Sequence, residues 1–371
     1  MKLPQLFYKQ FPYTVIFHQH DIEVTIALCP SCRFKSSTEQ LIERRVGTEQ
    51  DRNTEIVNQI VDTSITPEEI AKDPIDVVVG LGQNLSSKAI VHPSKIFGEQ
   101  RRNSKGWDIT DPVTVAEIDE GRNRYKSHQW KGGPVLAVDS VSDEVVEVRN
   151  PANPDDLVGH ITYTSEADIS SALDAAQDGF KQWSAVPAEE RAAMIRKVGD
   201  LYEENVHELF ALTTREAGKS LLDAVAEIRE AVDFAMFYAN EGIRYKHDGE
   251  ARGVMCCISP WNFPTLLTAR GLAFPIAAGN CVVLKPSEET PYTGGVIFAE
   301  IFEAVGVPPG VLNVVTCSRE NVPAVGDMIV EHPLVKGISF TGSTPVGRVI
   351  AAKAGAHLKK CCVELGGKDA L

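Results

Sequence analysis

The sequence predicts an α/β fold, a parallel β-sheet with flanking helices, preceded by a region that is mostly helical or irregular. Three observations predict it. From Gly253 onward, five short apolar segments ("GVMCCIS", "NCVVLK", "LNVVT", "GISFT" and "CCVEL") alternate with helical segments around 265–278, 291–305, 322–330 and 345–356. The strand-like segments are continuously apolar rather than alternating, as strands covered on both faces must be. Clusters of polar residues, glycine and proline follow the strands, where open parallel sheets bind their ligands.

Taken in chain order, residues 1–37 show no period of 2 or 3.6 and are left unassigned. Within them Cys29 and Cys32 form a C-x-x-C with His18 and His20 upstream. These ligand types can bind zinc, but one such pair without a second reads more simply as thiols in an irregular segment, so no metal is expected. Residues 38–72 have helical spacing, with Thr66-Pro67-Glu68-Glu69 as an N-cap, a proline at the first helical position and acids in the first turn. "VVVGLGQNL" (Val77 to Leu85) has Gly80 and Gly82 but Leu85 where a dinucleotide fingerprint needs its third glycine, so a turn after a short strand is expected. A polar stretch to about 130 reads as an exposed linker.

"VVEVRNPANPDDLVGHITYTS" has strand alternation broken by Asn-Pro turns and predicts a hairpin. Ser165 then caps a helix, and a second begins at Pro187 with apolar positions at near-helical spacing. "ELFALTTREAGKS" ends in a Gly-Lys stop, and "LLDAVAEIREAVDFAMFYANEG" predicts a long helix stopped by Gly242.

The 371 residues carry a formal net charge of −14, which argues against a nucleic-acid or anionic-membrane surface. No apolar run reaches the length of a membrane span and the N-terminus has no signal-peptide pattern, so a cytoplasmic protein is expected. The eight cysteines include the adjacent pairs Cys256-Cys257 and Cys361-Cys362 in strand-like runs, which suits reduced core thiols rather than disulfides.

Four clusters carry chemistry. After the first strand comes Ser259-Pro260-Trp261-Asn262-Phe263-Pro264. Its prolines stiffen the turn, so the Asn262 amide can donate to a developing oxyanion; the plainer alternative is a helix cap. After the second comes Lys285-Pro286-Ser287-Glu288. A lysine and glutamate so spaced can grip a ribose diol, and the carboxylate would repel a 2′-phosphate, favouring NAD over NADP. The same residues can also open a helix, with Ser287 as cap. After the fourth, Gly342-Ser343-Thr344-Pro345-Val346-Gly347 combines a turn glycine, small hydroxyls and a helix start that suits a pyrophosphate. At the end of the fifth stands Glu364, a general base towards water or thiol, or else a solvent-facing carboxylate. Their order at the strand ends makes them a site.

Over about residues 131–371 the sequence resembles the NAD-dependent aldehyde dehydrogenase superfamily, on "ISPWNFP", "AAGNCVVLKPSEETP", "GVPPGVLNVV", "ISFTGSTPVGR" and "ELGGK". The resemblance implies a Rossmann-like NAD-binding domain, an aldehyde substrate, Asn262 as the oxyanion-stabilising amide and Glu364 as the base for thioester hydrolysis. It implies cofactor contacts at Ile258, Ser259, Trp261, Lys285, Pro286, Ser287, Glu288, Gly342, Ser343, Thr344, Val346, Gly347 and Leu365. Lys285 and Glu288 are its adenosine-ribose contacts; Gly342, Ser343 and Gly347 form its pyrophosphate turn.

Upstream, "TEIVNQIVDTSITPEEIAKDP", "RRNSKGWDITDP" and "REAGKSLLDAVAEIREAVDFAMFYA" resemble the bifunctional proline utilization A family. There a proline dehydrogenase domain precedes an L-glutamate γ-semialdehyde (1-pyrroline-5-carboxylate) dehydrogenase. This implies that 38–82 is the tail of a proline dehydrogenase-like domain, 83–130 a linker, and 131–371 the NAD-binding domain without its substrate domain. FAD belongs to the full-length bifunctional parent and not to this chain. Glu216 in "REAGK" is a contact for the substrate's amino group, or simply a helix end. By contrast, "TLLTARGLAFPIAAG" and "CVVLKPSEE" look like general aliphatic or aromatic aldehyde dehydrogenases. The family is homo-oligomeric, and its nucleophilic cysteine lies a few dozen residues beyond the glutamate, in a segment this chain lacks. Cys362, on the strand face of Glu364, is expected to be packed. The chain is therefore expected to be inactive by itself, or to act as a non-catalytic NAD-binding fragment.

Overall fold

The computed structural model describes residues 93–367 together with Ser64, Thr66 and Val91. The chain divides into two units, 1–87 and 88–371, and nearly every described residue belongs to the second. The C-x-x-C of Cys29 and Cys32 and the turn at Val77 to Leu85 lie outside the described residues, as does the helical stretch 38–72 apart from Ser64 and Thr66.

The stretch read as an exposed linker contains a helix, α1 (Pro112–Asn123). Asp111 caps it, accepting from the amides of Val113 and Thr114 at 3.1 Å, and Pro112 sits where its missing N–H costs nothing. Only Ile118 and Gly121 of this helix are buried, too few to leave a periodic signal. Residues 101–105 are fastened as well. The Ser104 amide and hydroxyl donate to Asp233 at 2.9 and 3.0 Å, and Arg102 pairs with Glu203 and Asp200.

Strands β1 (Trp130–Gly132), β2 (Val145–Asn150) and β3 (Asn153–Thr162) form a sheet in the order β1-β3-β2. The β2–β3 pair is the antiparallel hairpin that the Asn-Pro turns predict. Four helices follow: α2 (Glu166–Trp183), α3 (Ala188–Glu204), α4 (Val206–Glu216) and α5 (Leu221–Arg244). Ser165 and Asp168 form a reciprocal capping box at the start of α2. Gly218, with φ +64°, supplies the left-handed residue just beyond α4.

The main sheet contains β4 (Val254–Ile258), β5 (Cys281–Lys285), β6 (Leu312–Val314), β7 (Val335–Gly342) and β8 (Lys360–Leu365), all parallel, in the order β6-β5-β4-β7-β8. Between them lie α6 (Pro264–Ala277), a π turn (Tyr292–Val296) running into α7 (Ile297–Ala304), α8 (Val322–Glu331) and α9 (Thr344–Ala356). All five residues of β5 are buried, the apolar Cys281 to Leu284 as a strand covered on both faces requires and Lys285 at its carboxyl end as well. Trp183 is fully buried at the end of α2 and donates from its indole to the Ile276 carbonyl at 2.9 Å. Burial of such a side chain stabilises by roughly 3 kcal/mol.

Two expectations are corrected. Gly242 does not stop α5 but lies inside it: a Cβ there would meet the Cβ of Ala277 at 2.8 Å, so the glycine lets α5 lie close on α6. Cys362 is exposed rather than packed, because β8 is the outer strand among those described. The six described cysteines are all free, and Cys256, Cys257, Cys281 and Cys317 are buried.

Candidate active site

Successive strands run out from the centre of the sheet in two directions. β5 and β6 follow β4 on one side, and β7 and β8 lie on the other. The strand order reverses between β4 and β7, and a crevice at the carboxyl ends of such strands is where open α/β sheets bind ligands. The loop after β4 carries Asn262, and the turn after β7 carries Ser343.

Registers place the remaining residues on the same edge. Ile258 pairs with Lys285 on one side and Phe340 on the other, while Thr341 pairs with Glu364 and Gly342 with Leu365. The Ser259 amide donates to the Lys285 carbonyl at 3.2 Å, so the two loops leave the sheet side by side. The sequence-predicted clusters therefore share one rim.

Asn262 and Trp261 are exposed. The N-cap position of α6 is Phe263 and no side chain caps it, so Asn262 is not a cap and its amide stays free. The loop is anchored from below instead. Glu227, fully buried on α5, accepts from the Leu266 amide at 2.9 Å in the first turn of α6. Lys219 pairs with Glu227 at 3.1 Å and holds its ammonium 3.9 Å from the centre of the Phe263 ring. Burial raises the Glu227 carboxyl above its ordinary range, against the opposing pull of the Leu266 amide and Lys219.

Lys285 is buried, and its ammonium donates to Glu288 Oε2 at 3.1 Å. Burial alone would raise Glu288, but Lys285, with Arg319 at 3.6 Å from Oε1, holds it below the ordinary carboxylate value. Ser287 does not cap the following helix: it accepts the Glu289 amide at 3.3 Å within a tight turn, and the helix starts later. Pro286 is buried as well. A Cβ on Gly295 would meet its ring at 2.7 Å, so that ring packs on the π turn.

Ser343 stands at the N-cap of α9 and makes no side-chain capping bond, which leaves first-turn amides open. Gly347 has a packing role: a Cβ there would fall 2.2 Å from Leu365 Cδ2, so the glycine seats α9 on the end of β8. Thr344 donates to the Gly366 carbonyl at 3.4 Å, and Val346 is exposed at the rim. Ile258 is half-buried, whereas Ser259 is buried with an Oγ that has no partner. An orphaned hydroxyl, open helix amides, a lysine–glutamate pair and exposed apolar side chains fit a dinucleotide.

Glu364 is exposed and forms an ion pair with Arg270 of α6, which also donates to Thr341 Oγ1 at 3.1 Å. Arg270, Lys219, Glu227 and Arg319 all escape the sequence reading. For two of them a signal exists: Arg270 is the lone charge in the apolar helix "PTLLTARGLAFPIA", and Glu227 sits on the buried stripe of Ala224, Ile228 and Ala231.

Of the two readings of Glu216, the structure favours the helix end, since it is the last residue of α4. It is buried, and accepts from the Tyr292 amide at 2.8 Å, the Thr293 amide at 2.7 Å and the Thr293 hydroxyl at 2.5 Å. Its carboxylate is turned into the start of the π turn and buried there, away from the sheet's open rim. Burial raises it to about 7 despite those bonds. No described cluster of histidine, cysteine and acids could hold a metal ion, and no described helix is long and apolar enough to cross a membrane.

Comparison with known proteins shows the family. The bifunctional protein PutA of Klebsiella aerogenes is 34% identical over 337 residues, 87% of this chain, and the chain spans only 25% of that protein's length. A 1-pyrroline-5-carboxylate dehydrogenase from Thermus, solved with bound NAD, matches with a TM-score of 0.66 at 30% identity, over 72% of this chain and 55% of that one. An NAD-dependent benzaldehyde dehydrogenase from Corynebacterium glutamicum matches with a TM-score of 0.58 at 36% identity, over 63% of this chain and 54% of that one. The profile of the aldehyde dehydrogenase family covers residues 137–371, well over half of the sequence. The chain belongs to the aldehyde dehydrogenase family.

Proposed function

We propose that this chain is the NAD-binding portion of an L-glutamate γ-semialdehyde dehydrogenase that oxidises the aldehyde to glutamate in proline catabolism. The observation that carries the nucleotide part is the register that brings Asn262, Lys285, Ser343 and Glu364 to one carboxyl edge, astride the reversal in strand order. The substrate part is supported by the likeness to PutA and to the Thermus enzyme.

Bound NAD supplies a hydride acceptor. Lys285 and Glu288 hold the adenosine ribose, and the open amides of α9 receive the pyrophosphate. The free amide of Asn262 donates to the carbonyl oxygen as negative charge develops on it. Glu364 takes a proton from the attacking thiol or water. Arg270 holds Glu364 at the rim before the proton moves.

Attack needs a thiolate. Burial raises the thiols of Cys257 and Cys281 to about 12 and raises those of Cys256, Cys317 and Cys361 as well. The sixth, Cys362, lies mid-strand on β8. We therefore expect nucleotide binding without aldehyde turnover from these residues. The free thiols suit a reducing, cytoplasmic compartment.

Calorimetric titration of the chain with NAD tests this reading. Saturable binding that Lys285→Ala weakens about tenfold or more supports it. No binding, or aldehyde turnover that Cys362→Ser abolishes, refutes it. The likeness to the benzaldehyde dehydrogenase supports a second reading, a general aromatic or aliphatic aldehyde dehydrogenase. In a protein that carries these residues with the nucleophile, a higher kcat/KM on 1-pyrroline-5-carboxylate than on benzaldehyde favours the first.

A further inference from the structure

We propose that the ribose end of the nucleotide site accepts NADP as well as NAD, with Arg319 receiving the 2′-phosphate. The inference rests on the reading of Lys285 and Glu288 as ribose contacts. It departs from the sequence reading, in which the Glu288 carboxylate turns a 2′-phosphate away.

Glu288 does not face the ribose position as an isolated anion. Lys285 takes Oε2 at 3.1 Å, and the Nε of Arg319 lies 3.6 Å from the other oxygen, Oε1. Nη2 of the same guanidinium donates to Glu289 Oε1 at 2.5 Å. Two carboxylates are thus matched by two cations, and the formal charge of the four side chains is zero. The repulsion that a lone ribose-binding acid exerts on a phosphate is largely cancelled here.

The two cations differ in what they can do next. Lys285 is only 5% exposed and is held by its carboxylate, whereas the Arg319 side chain is 75% exposed. A guanidinium carries five N–H donors in a fork that matches phosphate oxygens, and its bond to Glu289 leaves most of them open to solvent. Ion pairs this exposed hold weakly, so Arg319 can turn from Glu289 towards a phosphate without a large penalty. An arginine near the ribose is how dinucleotide sites that take NADP accommodate the 2′-phosphate. Arg319 lies 30 residues beyond Glu289, on the loop after β6, and only the pairing of β6 with β5 brings it to this corner.

Fluorescence or calorimetric titration of the full chain with NAD and NADP, on wild type and on Arg319→Ala, tests the proposal. A thermal melt confirms that the variant folds. The expected result is a wild-type Kd for NADP within about thirtyfold of that for NAD, and a ratio that Arg319→Ala widens at least threefold. NADP binding should also weaken more steeply with salt than NAD binding, a difference that Arg319→Ala removes. A wild-type ratio beyond thirtyfold, or one that Arg319→Ala leaves within threefold, overturns the inference and leaves the NAD reading standing. Failure to bind either nucleotide overturns both.

Discussion

Replacing Glu227 with glutamine removes the buried charge on which the Asn262 loop rests. The carboxylate is fully buried, 3.1 Å from a Lys219 ammonium whose side chain is only 10% exposed, and it accepts the Leu266 amide at 2.9 Å. Glutamine can still accept from that amide, but it leaves the lysine charge buried over the Phe263 ring without a counterion. Breaking one side of a buried pair costs about 3–5 kcal/mol, and the retained hydrogen bond places Glu227→Gln near the lower end. With a urea m-value of about 3 kcal/mol/M, the unfolding midpoint should fall by about 1 M.

The double replacement Lys219→Met, Glu227→Leu should cost less than the single one. It buries no charge and loses only the bond to Leu266, about 1–2 kcal/mol. Lys219→Met alone should also be milder than Glu227→Gln, because the already raised Glu227 can take up a proton. Urea denaturation followed by tryptophan fluorescence at pH 7 measures all three. A Glu227→Gln cost below about 1 kcal/mol, or a double variant as costly as the two singles together, would refute the claim that this buried pair is coupled to the loop.

Glu216 should make the domain less stable as pH rises. Its folded value of about 7 lies above the ordinary 4.5, so the folded state keeps a proton that the unfolded chain has lost. The contribution is full below about 4.5, is lost as pH climbs through 7, and amounts to about 3 kcal/mol; Glu216→Gln should flatten this part of the stability profile in urea melts at pH 5 to 8. Gly159→Ala should cost at least about 3 kcal/mol, since its Cβ would sit 2.1 Å from the rigid Trp130 carbonyl oxygen. Gly347→Ala should cost only about 1–2 kcal/mol, because the Leu365 side-chain end that it meets at 2.2 Å can turn aside. Thermal melts of the two variants, run side by side, check that ranking. Peptide-level mass spectrometry after a short thiol-alkylation pulse should find Cys362 modified well before Cys256, Cys257 and Cys281; equal rates on the native chain would contradict their burial.

The five strands of the main sheet, their intervening helices, the hairpin and the Ser165 cap were legible in the sequence. Each is written in residues close together in the chain: an unbroken apolar run, a 3.6-residue stripe, an Asn-Pro turn, a capping box. The clusters around Asn262, Lys285, Ser343 and Glu364 were legible for the same reason, since each is a local run after a strand. α1 was not, because it buries only Ile118 and Gly121, and Gly242 misled because a glycine that admits a neighbouring helix looks the same as one that ends its own. The strand order β6-β5-β4-β7-β8, and with it the crevice between β4 and β7, was decided only in three dimensions. So were the partners Arg270 for Glu364, Arg319 for Glu288 and Lys219 for Glu227. Local sequence limits the dihedrals and faces of an element. Which distant elements meet depends on burying all their apolar faces at once, and no single stretch of the chain encodes that.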